Sequence, residues 1–299
     1  MTELCELTSQ NSAIITLNQE KAYDKIRHNY LWRVLDKMNI PTNLINMIKS
    51  LYTNAETAVI LNGETSKKFP VTRGVRQGDP LSCLLFNFAI EPMSHLLRNT
   101  NKLSGLNIHT PNTHHKVILF LFVDDATVFL SQEDNPKTLF NILDTWCLAS
   151  GAKFNKEKTV VLSVGTTNYR ESINSNRTLQ QNGPPTFPDS VQILRDGEST
   201  RCLGAQIRNK IKGSEPWPKI IEDIENSLHF WEKGYPGLEG RKHIIQMIIG
   251  GKTQFITQAQ GMPAKYEKYL MKRIRTYMWG SDTPPIAMNH LTKPQNTGG

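Results

Sequence analysis

Residues 118–130 read ILFLFVDDATVFL and place two adjacent carboxylates, Asp124 and Asp125, between two apolar runs. Each run has the length and the composition of a β-strand, and the Asp pair falls where a tight turn would join the strands. A hairpin of this kind buries both arms and exposes the acidic pair at its tip. Two like charges held together are costly unless a cation compensates them, and a divalent metal does so. An ordinary Asp-Asp turn is the alternative interpretation of this stretch taken alone.

The composition of the whole chain favours nucleic acid as a partner. The 299 residues include 35 Lys and Arg against 27 Asp and Glu, a formal net charge of +8 that suits a polyanion. A basic protein with a solvated surface has the same totals, so the charge alone does not decide. The four cysteines (Cys5, Cys83, Cys147 and Cys202) form no CxxC pair, which argues against a disulfide framework and a zinc knuckle.

No apolar run reaches the roughly 20 residues that a membrane helix needs, and the first residues lack the pattern of a signal peptide. We therefore expect a soluble, intracellular chain with no membrane association.

Hydrophobic periodicity divides the chain near residue 210. Before that point we predict strands at 13–17 and 159–164, hairpins over 58–71 and 118–130, and helices at 28–38, 41–51, 81–97 and 136–150. Residues 165–190 are rich in Thr, Asn, Ser, Gly and Pro, which predicts a loop or a partly disordered connection. Residues 191–194 and 202–207 are predicted to pair as short strands. After 216 only helices are predicted, over 220–231, 241–260 and 264–279, so the fold class is α+β with a helical appendage.

Four segments, in this order, resemble the motifs of reverse transcriptases. Residues 17–24 (LNQEKAYD) resemble motif A, 73–82 (RGVRQGDPLS) motif B, 122–125 (FVDD) motif C, and 154–159 (FNKEKT) motif D of the non-LTR, LINE-type retrotransposon polymerases. The resemblance covers nearly the whole chain, because the helical part is similar to the thumb of those polymerases. It implies a palm with partial fingers over 1–210, an all-α thumb over 211–280 and a polar, truncated tail over 281–299.

The resemblance also implies an RNA-directed DNA polymerase that adds dNTPs to a DNA primer on an RNA template with two Mg²⁺ ions, or with Mn²⁺. Asp124 and Asp125 match metal ligands of motif C. Tyr23 matches the aromatic that lies under the nucleotide sugar and excludes a 2′-hydroxyl, with an ordinary core tyrosine as the alternative. Lys158 matches the motif D lysine that acts as general acid toward pyrophosphate, with a surface lysine as the alternative.

The remaining matches concern the nucleotide and the duplex. Gln77 and Gly78 match the turn that contacts the incoming nucleotide and the template, where glycine lets a backbone approach a ligand closely. Arg73 and Arg76 are candidates for phosphate contact or solvated loop charges. In the helical part, a basic surface would bind a template–primer duplex, and its candidate residues are Arg241, Lys242 and Lys252. Most of the aromatic residues among these cations are expected to form the core of the helical bundle.

The main departure from the family is Asn18, which stands where motif A carries the aspartate that is the third metal ligand. A neutral amide leaves the site one negative charge short, and a loss of several kcal/mol of metal-borne stabilisation would cut the rate by about a thousandfold or more. Glu20 and Asp24 match positions that accompany the aspartate, so neither is expected to replace it.

Only about a dozen residues precede the motif A strand, which predicts that most of the fingers are missing. We therefore expect impaired synthesis that Asn18→Asp alone would not fully restore. The alternative is a catalytically dead retroelement relic that at most binds template–primer nucleic acid. A maturase- or telomerase-like polymerase is a third interpretation, and the wording of motifs A and B favours the LINE type over it. No protein partner is evident from the sequence, and a nuclear location follows only if the chain acts as retroelement polymerases do.

Overall fold

A computed structural model of the chain describes residues 10–110, 113–180, 183–209, 216–280 and 285–286. The chain divides into two compact units, Met1–Asn209 and Lys210–Gly299. None of the helices in these described ranges is both long enough and apolar enough to cross a membrane.

The first unit alternates strands and helices. In chain order its elements are β1 (Ser12–Gln19), α1 (Ala22–Lys25), α2 (His28–Lys37), α3 (Thr42–Tyr52), β2 (Glu56–Thr57), β3 (Ile60–Leu61), β4 (Glu64–Thr65), β5 (Phe69–Pro70), α4 (Pro80–Asn99), β6 (Leu106–Thr110), β7 (Thr113–Val117), β8 (Leu119–Phe122), β9 (Asp125–Ser131), α5 (Pro136–Ser150), β10 (Phe154–Val164), α6 (Thr167–Asn176), β11 (Gln192–Ile193), β12 (Thr200–Cys202) and β13 (Ala205–Ile207).

A five-stranded sheet in the order β11-β10-β1-β9-β8 organises this unit. β1 is central and runs antiparallel to both β9 and β10, while β11 joins the edge parallel to β10. Alternate side chains of β1 therefore enter different layers. Ile15 and Leu17 pack into the main core with helices α2, α4 and α5, whereas Ile14 packs on the other face with residues of the β6–β7 hairpin. Asn18 comes directly after these packed residues, near the end of β1.

The structure confirms the long elements and corrects three predictions. Helices are present at the predicted places 28–38, 81–97 and 136–150, and β8 and β9 form the predicted hairpin. The prediction of a loop over 165–190 is wrong for the residues of α6, a helix that buries Tyr169 and Ile173 against the core. The predicted pairing of 191–194 with 202–207 is also wrong, because β11 joins β10 while β12 pairs with β13.

The second unit is helical and contains α7 (Pro216–Glu232), α8 (Leu238–Ile245), a π-helical turn (Gln246–Gly250), α9 (Gly251–Gln260) and α10 (Ala264–Trp279). Its core includes Ile224, Leu228, Ile244 and Leu270. The third correction falls here, because the helix predicted over 241–260 begins earlier and contains the π-helical turn. Except for residues 285 and 286, the tail predicted over 281–299 lies outside the described residues.

The aromatic residues of the second unit divide between core and surface. Trp217 is fully buried and stacks on Tyr266 with ring centroids 5.9 Å apart. Trp231, Tyr235 and Phe255 are exposed, so the expectation that most of these aromatics form the core holds for only part of the set.

Candidate active site

The acidic pair lies at the tip of the β8–β9 hairpin. Val123 and Asp124 form a two-residue turn, closed by the pairing of Phe122 with Asp125. The turn requires a positive backbone φ at Val123, which is 55°. A β-branched residue in the left-handed region is strained, and strain of this kind is held where the surrounding structure imposes it. The hairpin thus presents both carboxylates in exposed positions, with Asp125 as the first residue of β9.

Asn18 lies directly opposite Asp125 in the pairing of β1 with β9. Residues that pair across an antiparallel ladder share a face of the sheet, so the Asn18 amide and the Asp125 carboxylate point to the same side. Leu17 points to the helix layer, which places Asn18 on the opposite face. Within the described ranges the Asn18 side chain makes no hydrogen bond. Its amide is therefore available to a ligand.

A bulge in β10 brings Lys158 near this end of β1. Thr16 pairs with Val160 but Asn18 pairs with Asn155, so the residues between Asn155 and Val160 form an outward bulge. The side-chain oxygen of Asn155 holds the bulge by accepting from the backbone N–H of Glu157 at 3.0 Å and of Lys158 at 3.2 Å. Lys158 is exposed on this bulge, next to the strand that carries Asn18.

The surroundings of Asp125 disfavour its ionised form. The pKa of Asp125 is raised above its usual value, first because partial burial removes hydration and second because the Asp124 carboxylate lies nearby. A nearby cation would oppose both effects, because it favours the ionised form of Asp125.

Neither neighbouring acid is free to replace a third ligand. The Glu20 carboxylate forms ion pairs with Lys153 at 3.0 Å and with Lys25 at 3.1 Å, and these lysines hold the pKa of Glu20 below its usual value. Asp24 accepts a hydrogen bond from the Gln77 amide at 3.4 Å. Both carboxylates are engaged on the α1 side.

The donor set of the site suits Mg²⁺ in atom type but not in charge. Asp124, Asp125 and the Asn18 carbonyl offer only oxygen atoms, which Mg²⁺ prefers. Across the part of the chain that the structure describes, no three His, Cys, Asp or Glu side chains cluster as a metal site would require. The site therefore holds two carboxylates and an amide where three carboxylates are expected.

The motif B loop, residues 73–79, is fastened to the segment that follows β1. Gly74 donates its N–H to the Ile26 carbonyl at 2.7 Å, and the Gly74 carbonyl lies 2.8 Å from Nε2 of His28. Gly74 has a φ of +83°, and a Cβ at this position would lie 2.9 Å from backbone atoms of Tyr23 and Asp24. Glycine is therefore required here by both conformation and space. The motif B resemblance contains this glycine but did not identify its contacts.

The predicted nucleotide-contacting residues lie on this loop. Gln77 is exposed, and Gly78 has a φ of +87° with open space around the position of a Cβ. Arg73 is exposed and pairs through its backbone with Arg27. Arg76 donates to the Leu51 carbonyl at 2.8 Å and lies over the Tyr52 ring, so its guanidinium also ties the loop to α3.

Tyr23 lies between this loop and α4, and its backbone carbonyl accepts from the Val75 N–H at 2.7 Å. Its ring stacks on Phe86 with centroids 4.8 Å apart, and its hydroxyl donates to Sγ of Cys83 at 3.6 Å. Burial, the Cys83 contact and the charge of Asp124 together raise the pKa of Tyr23 to about 12. The Tyr23 ring thus packs against the start of α4 at the edge of the main core.

Residues 2–207 match the family described as reverse transcriptase (RNA-dependent DNA polymerase). This chain belongs to that family. The fold class predicted from the sequence is thereby confirmed, and the acidic hairpin, β1 and the motif B loop all lie within the matched residues.

Among similar proteins, the chain is 25% identical over 276 residues to the Xenopus laevis "Transposon TX1 uncharacterized 149 kDa protein", covering 91% of this chain and 20% of that protein. It is 29% identical over 171 residues to a Pol polyprotein from the type-1 retrotransposable element R2 of Popillia japonica, covering 56% of this chain and 27% of that protein. These relatives identify a reverse transcriptase of the non-LTR retrotransposon type. The chain spans no more than about a quarter of the length of either relative.

Among solved structures, telomerase from Candida albicans in complex with a TWJ fragment of telomeric RNA is 13% identical, with a TM-score of 0.40, and covers 90% of this chain and 43% of that chain.

In the second unit, the cations predicted to bind nucleic acid have local partners. Arg241 donates to the carbonyls of Pro236, Tyr277 and Met278 at 3.0–3.2 Å, and so ties α8 to the end of α10. Lys252 donates to the Asp223 carbonyl and the Ser227 hydroxyl, both at 2.9 Å. Lys242 pairs with Glu239 at 3.3 Å on the surface. These contacts give Arg241 and Lys252 a structural role that the sequence did not predict.

Three further residues near the candidate site were not identified from the sequence. Cys83 and Phe86, on the first two turns of α4, contact Tyr23, although motif B drew attention only to residues 73–82. Cys202, on β12, lies 3.5 Å from the Thr127 hydroxyl, on the face that also carries Asp125. No signal in the sequence linked either cysteine to the acidic pair.

Proposed function

We propose that this chain is the RNA-directed DNA polymerase domain of a non-LTR retrotransposon protein, with a template–primer and dNTP site whose chemistry is severely impaired by Asn18. The observation that carries the proposal is the register of β1 and β9, in which Asn18 stands opposite Asp125 at the base of the hairpin that exposes Asp124. In this register the neutral amide of Asn18 lies beside Asp125, at the position where the resemblance implies an acid.

Asp124 and Asp125 are the residues that would hold divalent metal, with a weak contribution from the Asn18 carbonyl. Bound metal would supply activation of the primer 3′-hydroxyl and neutralisation of the triphosphate and the leaving pyrophosphate. The protein's own part is to hold the two carboxylates on a rigid hairpin and to keep the Tyr23 ring beside them. Lys158, exposed on the β10 bulge, is the candidate proton donor to pyrophosphate.

Impairment follows from charge. Replacement of a carboxylate by an amide weakens the hold on Mg²⁺, and Glu20 is retained by Lys25 and Lys153 instead of reaching the site. A loss of several kcal/mol of transition-state stabilisation corresponds to about a thousandfold in rate. A non-catalytic relic that binds template–primer without extending it is the second candidate, and the same amide favours it.

Primer extension on an oligo-primed RNA template, in Mg²⁺ and in Mn²⁺, tests the proposal. We expect the native chain to extend slowly, Asn18→Asp to extend at least about tenfold faster, and Asp124→Ala to abolish extension. Asn141→Asp is the matched control, because it makes the same chemical change on an exposed position of α5.

Duplex binding measured in parallel separates the two candidates. If every variant, Asn18→Asp included, binds the duplex without extending the primer, the result would support the non-catalytic relic and contradict the polymerase. A gain from Asn141→Asp equal to that from Asn18→Asp would show that the effect of the added charge is not specific to the site.

A further inference from the structure

We propose that Cys83 is a positioning residue for sugar selection, which acts by holding the Tyr23 ring in place. This inference rests on the proposed function and on the match of Tyr23 to the family's aromatic residue under the sugar of the incoming nucleotide. It adds a residue that the resemblance to the family did not identify and that lies just beyond the motif B segment.

The geometry of the contact comes from the start of α4. The Asp79 side chain caps this helix by accepting from the Leu81 N–H at 2.9 Å. Cys83 and Phe86 then lie three residues apart, so their side chains share one face of the helix. Tyr23 meets both: its ring stacks on Phe86 at an interplanar angle of 16°, and its hydroxyl reaches Cys83.

The two contacts restrain different motions of the ring. Stacking on fully buried Phe86 fixes the plane of the Tyr23 ring but leaves it free to slide within that plane. The hydrogen bond to Cys83 stops the sliding, because it fixes the far end of the side chain. In the described part of the chain, Cys83 is the one hydrogen-bond partner of this hydroxyl.

The hydrogen bond also occupies the polar end of Tyr23. A phenol whose proton is donated to sulfur cannot also donate it to a ribose 2′-hydroxyl, and a ring that cannot slide leaves no room for that group. Without Cys83, the ring gains freedom and the phenol gains an unused donor, and both changes favour a ribonucleotide. Cys83 is exposed, so the site tolerates a small change of side chain there.

The test is nucleotide binding to a preformed complex of this chain with an RNA template and a DNA primer that lacks a 3′-hydroxyl. Such a primer prevents chemistry, so the impairment by Asn18 does not affect the readout. The measured quantity is the ratio of the Kd for a templated rNTP to the Kd for the matching dNTP. We expect Cys83→Ala to lower this ratio about three- to tenfold, the range expected for one neutral hydrogen bond.

Four further variants separate positioning from packing. Cys83→Ser keeps an acceptor for the phenol and should retain most of the native ratio. Tyr23→Phe frees the ring but leaves no phenol donor, so it should lower the ratio less than Cys83→Ala does. Cys83→Ala added to Tyr23→Phe should lower the ratio no further, because the contact is already absent. Leu84→Ala, which truncates an exposed neighbour on the same helix, should leave the ratio unchanged.

Three outcomes would overturn the inference. A Cys83→Ala ratio within twofold of the native one would remove the role of Cys83 while leaving the proposed function intact. Additive losses in the double variant would do the same, because they would mean that Cys83 and Tyr23 act separately. Failure of the native complex to bind either nucleotide would remove the proposed function, and this inference with it.

Discussion

At the scale of the residue, the surroundings of Asp125 in the acidic pair raise its pKa and so disfavour its negative charge. Asp125 loses hydration and lies beside Asp124, and both effects favour its neutral form. An acid whose pKa is higher in the folded chain than in the unfolded chain reduces stability once it is ionised. The reduction is absent below the unfolded pKa and grows as pH rises through the folded pKa.

Asp125→Asn should therefore stabilise the chain at pH 7 in the presence of EDTA. We expect its Tm to exceed that of the native chain by about 1–2 °C, because the site is exposed and the effect is screened. The difference should shrink as pH falls below the raised pKa, where native Asp125 is protonated. Thermal melting at several pH values measures this dependence.

The control for Asp125→Asn is Glu171→Gln, which removes one negative charge from an exposed position of α6. It should change Tm little at any pH. A lower Tm for Asp125→Asn at pH 7, with no dependence on pH, would mean that the carboxylate stabilises the hairpin and that the repulsion described above is unimportant.

At the scale of the element, helices with clear apolar periodicity could be predicted and helices held by tertiary contacts could not. α4 and α5 begin with an Asp or Asn cap followed by proline, and both caps accept a backbone hydrogen bond as such signals predict. α6 has the composition of a loop, but burial of Tyr169 and Ile173 and the ion pair of Arg170 with Asp196 at 2.8 Å hold it in place. Contacts across 26 residues have no local signal in the sequence.

The same limit applies to the candidate site. The acidic turn was predictable from the apolar runs on each side, and the resemblance to known motifs linked it to Asn18 and Tyr23. The bulge of β10 was not predictable, because it arises where Thr16 and Asn18 pair with residues separated by five positions on the partner strand. The contact between Cys83 and Tyr23 spans 60 residues and depends on how α4 packs against α1.

Arg241 permits a test at the same scale, because its bonds join two helices. The guanidinium donates to the last carbonyls of α10, where a cation is also favoured by the helix dipole. Arg241→Lys keeps the charge but cannot donate in three directions of a planar fork. We expect a loss of about 2 kcal/mol in the free energy of unfolding, measured by urea denaturation.

Lys242→Gln is the comparison for Arg241→Lys, since Lys242 is exposed and its pairing with Glu239 is a surface contact. Such pairs contribute little, so its unfolding midpoint should stay close to the native one. If Arg241→Lys is as stable as the native chain, the hydrogen bonds of Arg241 contribute little to stability, and Arg241 is then a candidate for nucleic-acid binding.

At the scale of the whole molecule, the net charge of +8 is distributed between cations used within the fold and cations left on the surface. Arg241 and Lys252 hold helices together, and Arg273 pairs with Glu225 and Glu232 at 2.8 and 3.1 Å. Lys265, Lys268 and Lys272 differ from them. These lysines are exposed, and none of them forms an ion pair within the described residues.

The spacing of these three lysines along α10, at i, i+3 and i+7, places them on one face of the helix. A row of unpaired cations of this kind is suited to the phosphates of one strand. Under the proposed function, this row is a better candidate for the duplex contact than Arg241, Lys242 or Lys252.

Replacement of Lys265, Lys268 and Lys272 together by Gln should weaken binding of an RNA–DNA duplex regardless of its sequence. Each phosphate contact that is lost should reduce the slope of log K against log salt by about 0.7–0.9, so the triple variant should lose about 2–3 from the slope. The measurement is a titration of duplex binding between 50 and 300 mM salt, roughly the range in which such contacts dominate.

The matched control replaces Lys37, Lys102 and Lys137, exposed in the first unit, and makes the same change in net charge. If both triple variants lose the same affinity and slope, binding depends on total charge and α10 has no special part. If only the α10 variant loses them, the second unit holds the duplex through this row.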